Sequence, residues 1–146
     1  MIIFSKKFIN IFILFNIIIS FFCKTILAEE INFSDLVQKN NTFFYKDSPN
    51  PFEGYVIGKE SGKIINGKKN GLWRYYTIEG ILSYEENYIN GVEEGKYISY
   101  YENGNVFTKG FFKNGYEHGR WISFHKSGKI REELNFVFGK EQGVWN

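Results

Sequence analysis

Thiols are almost absent from this chain: of 146 residues one is cysteine, Cys23, and it lies in an apolar N-terminal run. A disulfide framework or a cysteine-based zinc site needs more than that. Histidine is scarce too, with His118 and His125 alone, and neither has further ligands at metal-binding spacing. Proline occurs only at Pro49 and Pro51, so one turn is marked and no other stretch is broken that way. Glycine is missing before Gly54, and all 15 glycines fall between there and Gly143. That shift in composition marks a boundary. Lysine and arginine form no dense cluster, which argues against a nucleic-acid partner.

The N-terminal run reads as an export signal. Lys6 and Lys7 open it, Phe8 to Phe22 is apolar apart from Asn10, Asn16 and Ser20, and Ala28 offers a small residue for a cut before Glu29. An uncleaved anchor is the first alternative, although the apolar run is short for a bilayer span. Acylation of Cys23 is the second, although Phe21-Phe22 before it are bulky. Cleavage after Ala28 removes Cys23 together with Lys6, Lys7 and Lys24, which takes the net charge from +2 to −1. The expected product is exported, whether periplasmic, on the cell surface or secreted. It is small and rich in rings, so most of its apolar burial must come from aromatics.

What fills the rest is one unit written repeatedly with a 24-residue step. Asn66-Gly67 returns as Asn90-Gly91 and Asn114-Gly115. Gly71, Trp73, Tyr76, Gly80 and Tyr88 return as Gly95, Tyr97, Tyr100, Gly104 and Phe112, then as Gly119, Trp121, Phe124, Gly128 and Phe136. A further copy opens with Gly139, Gly143 and Trp145. A fixed period of this size signals an array of supersecondary units. Asn-Gly is the strongest short hairpin signal, and the aromatic and β-branched runs between glycines suit strands. The expectation is an all-β fold: an antiparallel meander of hairpin repeats forming an extended, twisted sheet. Trp73 and Tyr76 are three apart and would face opposite ways on a regular strand, so a bulge or bend is expected between them, or cover on both faces.

The domain reading is a signal peptide over 1–28, an N-terminal cap over 29–51 and a repeat array over 52–146. The array divides into a degenerate unit (52–65), three full units (66–89, 90–113, 114–137) and a partial one (138–146). In the cap, Ser34 to Gln38 reads as a short N-capped helical turn and Thr42 to Tyr45 as a strand. The cap is expected to cover the first sheet edge. Gly54 and Gly62 read as counterparts of the turn glycines Gly71 and Gly80.

The motif Asn-Gly-x3-Gly-x-Trp-x2-Tyr-x3-Gly at Asn66 to Gly80, with Pro51-Phe52-Glu53-Gly54 before it, resembles the bacterial variant MORN repeat family, often labelled the YwqK-type antitoxin family. The resemblance covers Tyr45 to Trp145. It implies extended antiparallel sheets of hairpin repeats that serve as binding, scaffolding or membrane-associating modules.

No catalytic constellation is visible, and neither an enzyme nor a cofactor or metal is expected. Glu85-Glu86, Glu93-Glu94 and Glu132-Glu133 are adjacent pairs that split between strand faces or lie in turns. The glycines are spaced by strand length and do not gather before a helix as a phosphate loop does. The expected repeat core is Trp73, Tyr76, Tyr97, Tyr100, Trp121, Phe124 and Trp145. The Trp column reads either as an internal ladder or as a ring-lined face left open for a partner. Candidate partner contacts are Tyr75, Tyr101 and His125, in columns that vary between copies, and Val144 and Trp145 at the last strand. The expected function is an exported protein-binding or scaffold module. Alternatives are an antitoxin or immunity-like protein that occupies a toxin, and a lipid-associating module. Edge-to-edge pairing of two copies through Val144-Trp145 is a further expectation.

Overall fold

The computed structural model describes residues 30–143; the leader with its expected cut after Ala28, and the terminal Val144, Trp145 and Asn146, lie outside the described residues. The chain begins with β1 (Glu30–Asn32), a 3-10 turn at Phe33–Asp35, β2 (Leu36–Lys39) and β3 (Thr42–Tyr45). The array follows as β4 (Gly54–Ile57), β5 (Glu60–Ile65), β6 (Lys68–Tyr76), β7 (Leu82–Ile89), β8 (Val92–Tyr100) and β9 (Val106–Lys113). It continues with β10 (Tyr116–Glu117), β11 (Gly119–Phe124), β12 (Ile130–Val137) and β13 (Lys140–Glu141). β4 to β13 join in chain order through antiparallel pairs, with both β10 and β11 laid against β9. The fold is all-β, a meander of hairpin units.

Turn chemistry sets this path. Asn66-Gly67, Asn90-Gly91 and Asn114-Gly115 hold φ of 49° and 69°, 51° and 81°, and 51° and 77°. Two consecutive left-handed residues make the hairpin turn whose twist matches its strands, and Asn and Gly enter that region cheaply. At the other end of each hairpin, Gly80, Gly104 and Gly128 donate to the carbonyls of Thr77, Tyr101 and His125.

The segment before the array departs from the expected helical turn. Its turn is confined to Phe33–Asp35, where the Asn32 side chain accepts from the Ser34 amide at 3.0 Å, and Leu36 to Gln38 are strand. The reason lies at Asn40-Asn41, whose φ of 49° and 56° form the same two-residue hairpin turn without a glycine and fold β2 onto β3. β1 extends the main sheet in parallel with β4, opposing Ile31 to Val56. The β2–β3 hairpin is locked to the array by amide–carbonyl bonds from Phe43 to Gly67, Phe52 to Phe43 and Gly67 to Phe52, all 2.8–2.9 Å.

The puzzle of Trp73 and Tyr76 has a repeated answer. The ladder shifts register between Tyr75 and Tyr76, and again between Ser99 and Tyr100 and between Ser123 and Phe124. A bulge at the same point of each copy turns the strand end. The principal core sits in the N-terminal half, where Phe52, Val56, Ile64, Trp73, Tyr75 and Tyr88 pack with Ile31, Phe33, Leu36, Phe43 and Tyr84.

Candidate functional site

The face of the sheet that carries Trp73 holds most of the rings. Across the ladder, Trp73 opposes Glu86, Glu86 opposes Tyr97 and Tyr97 opposes Gly110. The Trp73 indole N–H donates to the Lys63 carbonyl at 3.1 Å, and its ring lies on Gly62, where a Cβ would come within 2.5 Å of it. Two units on, Trp121 donates to the Phe111 carbonyl at 3.2 Å and lies on Gly110, where a Cβ would come within 2.2 Å. Gly62 is thus a mid-strand residue of β5 kept small by an indole. It is not the turn glycine that the sequence reading made it. The unit between carries Tyr97 and Glu86 in place of the indole and the glycine.

The rings form a continuous band. Tyr75 stacks on Tyr84 at 4.2 Å, Tyr84 meets Tyr97 at 5.9 Å, and Tyr97 meets Trp121 at 5.4 Å. Trp121 in turn meets Phe112 and Phe136 edge-on. Tyr76, Tyr100 and Phe124, expected in the core beside the Trp column, are only half-buried. Tyr100 and Phe124 serve the opposite face: Tyr100 donates to Glu85 at 2.6 Å, and the Lys109 ammonium stands 5.3 Å from the Phe124 ring. Three residues on from the ladder position, they face the other way as strand alternation requires, so the rings give cover on both faces. Trp145 lies outside the described residues.

Of the expected partner contacts, Tyr75 is corrected. It is 9% exposed, packed against Trp73 and bonded through its hydroxyl to Tyr88 at 2.9 Å, so it belongs to the capped core. Its column varies because its surroundings vary: Tyr75 lies near the cap, whereas Ser99 and Ser123 border a groove. Tyr101 is half-buried, donates to the Phe124 carbonyl at 2.7 Å and so ties one turn to the next. His125 is exposed at the following turn. Val144 and Trp145 lie outside the described residues. His118 is half-buried against Phe138. No group of three His, Cys, Asp or Glu among the described residues is placed to hold a metal ion.

A polar chain missed by the sequence reading runs beneath the cap. Glu60 receives the Lys69 ammonium at 2.7 Å, Lys69 also donates to the Tyr75 hydroxyl at 2.9 Å, and Tyr75 meets Tyr88, whose hydroxyl donates to the Glu86 carboxylate. Glu86 is 8% exposed, the one buried charged residue among those described. Burial pushes the Tyr75 and Tyr88 hydroxyls well above the usual phenol value, with the Tyr75–Tyr88 and Glu86–Tyr88 hydrogen bonds adding to it respectively. Tyr84 is raised to about 12, first by burial and then by the Glu86 charge. No local motif signals such a chain, because Glu60, Lys69 and Glu86 come from three strands.

Beyond the cap the same face opens into a groove of about 490 Å³ floored by Tyr97, Phe112, Trp121 and Phe136. Polar groups stand among the rings: Ser99, Thr108 and Ser123 offer hydroxyls, Glu117 and Glu132 carboxylates, and Arg131 a guanidinium. A concave, mostly apolar site with a few convergent polar groups is the usual form of a binding site.

Comparison with known proteins gives one family and a slight structural likeness. No curated protein matches. In the crystal structure of accessory secretory protein 1, 2 and 3 in Streptococcus pneumoniae, one chain aligns with a TM-score of 0.41 at 14% identity, over 74% of this chain and 19% of that one. Residues 93–114 and 117–137 match the MORN repeat variant family. Repeats of this family generally act as protein- or membrane-binding modules, and their all-β fold is typically non-enzymatic. The matched residues run through the strands from β8 to β12, and the two hairpin units there are the ones that match a MORN repeat variant.

Proposed function

We propose that this chain is an exported, non-enzymatic module that binds a protein partner in the groove of its C-terminal half. The observation that carries the reading is the contrast in cover along one ladder. Where the β2–β3 hairpin and Phe33 lie over the rings, Trp73 is wholly buried, whereas Tyr97 is half-buried and Trp121, 8% exposed, lines an open groove. Exposed ring-lined grooves with polar edges are typical of interaction sites, and aromatic anchors supply much of the energy at such interfaces.

The test is site-specific photo-cross-linking in the native host. A cross-linker at Thr108, in the groove, is expected to capture one partner at fixed stoichiometry, while one at Lys96, across β8 from Tyr97, is not. Equal capture from both positions, or none from Thr108, overturns the reading. Flotation with neutral vesicles separates the membrane-binding alternative, since a mature charge of −1 gives little electrostatic help. Export rests on the leader alone, and its processing is checked by mass spectrometry: a mature chain starting at Glu29 supports cleavage, and an intact Met1 points to an uncleaved anchor.

A further inference from the structure

The array contains one arrangement of rings twice, two units apart, and the chain itself fills the first copy. Trp73 and Tyr88 meet edge-on at 6.3 Å and 77°; Trp121 and Phe136 meet at 6.3 Å and 79°. The ladders agree pair by pair. Gly71 opposes Tyr88 as Gly119 opposes Phe136, and Tyr75 opposes Tyr84 as Ser123 opposes Glu132. Into the first cage Lys69 sends its ammonium, 4.3 Å from the Trp73 ring, 4.9 Å from Tyr75 and 5.5 Å from Tyr88, with Phe33 closing the top at 5.3 Å. Rings at such distances attract a cation through their quadrupole, more strongly once water is excluded. Glu60 and the Tyr75 hydroxyl accept its protons.

In the second cage the residue in the place of Lys69 is Glu117. Lys69 opposes Ile64, and Glu117 opposes the equivalent Phe112. Tyr84 is replaced by Glu132 and Tyr75 by Ser123. The second cage therefore keeps the indole and its edge-on neighbour and loses the internal lysine; Thr108 and Leu134 stand where Glu60 and Glu86 were, and the two carboxylates are now Glu117 and Glu132, with no internal cation between them. Ser123, at the register position of Tyr75, has its Oγ buried without a hydrogen-bond partner. Arg131 is the basic residue of this lining and is exposed, as Glu132 is, while Glu117 is half-buried; the two carboxylates outnumber the one guanidinium. No segment corresponding to Phe33 covers these rings among the described residues.

We propose that the second cage receives a lysine or arginine side chain of a protein partner, so that the cation held internally in the first copy comes from outside in the second. This rests on the reading of the groove as a partner site and names the partner's chemistry. Rings alone accept any apolar group; Glu117 and Glu132 select positive charge. The groove is lined from β8, β9, β10, β11 and β12, and that width suits a peptide segment better than a lone amine.

The test titrates the purified protein with a hexalysine peptide, followed by tryptophan fluorescence, against its Nε-acetylated form and against butylammonium. Hexalysine is expected to bind and the other two to bind at least about tenfold more weakly, the scale set by one desolvated cation–π contact. Glu117→Gln combined with Glu132→Gln should weaken hexalysine by about the same factor. Glu117→Lys should abolish binding by filling the cage as Lys69 fills the first. Glu102→Gln, in an exposed turn, should leave it unchanged. Thermal midpoints check that each variant folds, and the Gln variant carries the test where the Lys variant does not. Equal binding of the acetylated peptide, or of hexalysine to the Gln variant, overturns the proposal; equal binding of butylammonium overturns the peptide source. If Thr108 still captures a partner after hexalysine has failed, the cation proposal falls and the binding-module reading stands.

Discussion

Trp73 and Trp121 occupy one register position, donate to equivalent carbonyls and each lie on a glycine, yet Trp73 is fully shielded while Trp121 borders a groove. What separates them is the segment before the array. Phe33, Leu36 and Phe43 pack onto the first cage, and Lys69 fills it. A repeat motif thus fixes where a ring stands on the sheet and leaves its use, core or surface, to residues outside the motif. A terminal unit has no neighbour on one side, and the cap supplies the missing burial.

Truncating the two indoles tests that difference where it is largest. Trp73→Ala empties a closed cage and leaves Lys69 without its nearest ring, which should cost about 3–5 kcal/mol. Trp121→Ala should cost less, about 3 kcal/mol, the low end of that range, because its ring lines a groove into which neighbours can settle. Urea unfolding of both variants gives the comparison; equal losses would show that the second cage is as closed as the first.

The glycines beneath the indoles sharpen the comparison. An alanine Cβ at Gly62 or Gly110 would meet the ring far inside contact distance. Under the cap the ring has nowhere to go, so Gly62→Ala should cost about 2–3 kcal/mol, the upper part of the overpacking range. Over the groove it can lift, and Gly110→Ala should cost about 1 kcal/mol. A larger loss at Gly110, read from the urea midpoint, would contradict the idea that Trp121 has room to move. The unit between shows the compensated form, with Tyr97 opposite Glu86.

The period, the strand order and the turns were legible because a left-handed Asn-Gly pair leaves a local mark that recurs with the unit. The same rule at Asn40-Asn41 went unread for want of a glycine, and a helical turn was expected where β2 runs. Site residues were harder. Tyr75, Glu60, Lys69 and Glu86 meet across three strands, and only the register, with its shifts at Ser61–Lys63 and at Tyr75–Tyr76, brings them together. A column that varies between copies looked like a contact surface. At Tyr75 it varies because that copy alone lies under the cap and over a lysine.

Alkali should bear hardest on the capped half, since burial also raises Tyr97 and Tyr100 of β8, Tyr100 to about 12, but leaves them below Tyr75. Tyr84 is raised to about 12, and Tyr75 and Tyr88 are raised further, all chiefly by burial. A phenol whose folded value is raised keeps its proton where the unfolded chain, near 10, has lost it. Its stabilising effect is therefore complete below pH of about 10 and is lost as pH rises from there through the folded value. The thermal midpoint should fall steeply above pH of about 10, and Tyr75→Phe should flatten that slope. Tyr116→Phe, at an exposed ring of the C-terminal half, should leave the slope as it is. Equal flattening by both would place the alkaline sensitivity outside the capped cage.

The smallest effect is expected at the far end, in the last turn. Phe138-Gly139 stands where three earlier turns carry Asn-Gly, and Phe138 holds the same left-handed φ, 48° against 49–51° for Asn66, Asn90 and Asn114. That region costs an ordinary L-residue about 1–2 kcal/mol and asparagine less. The Phe138 ring gives something back by resting on His118 at 5.2 Å, but it is about half exposed, so little burial is lost with it. Phe138→Asn should therefore stabilise the protein by about 0.5–1 kcal/mol, a rise of a few degrees in Tm for a domain of this size. The capped end offers no such gain, since Asn66 already fills its turn. A fall in Tm would mean that the ring on His118 outweighs the backbone strain, and that this end of the sheet is held by an aromatic contact its other turns do without.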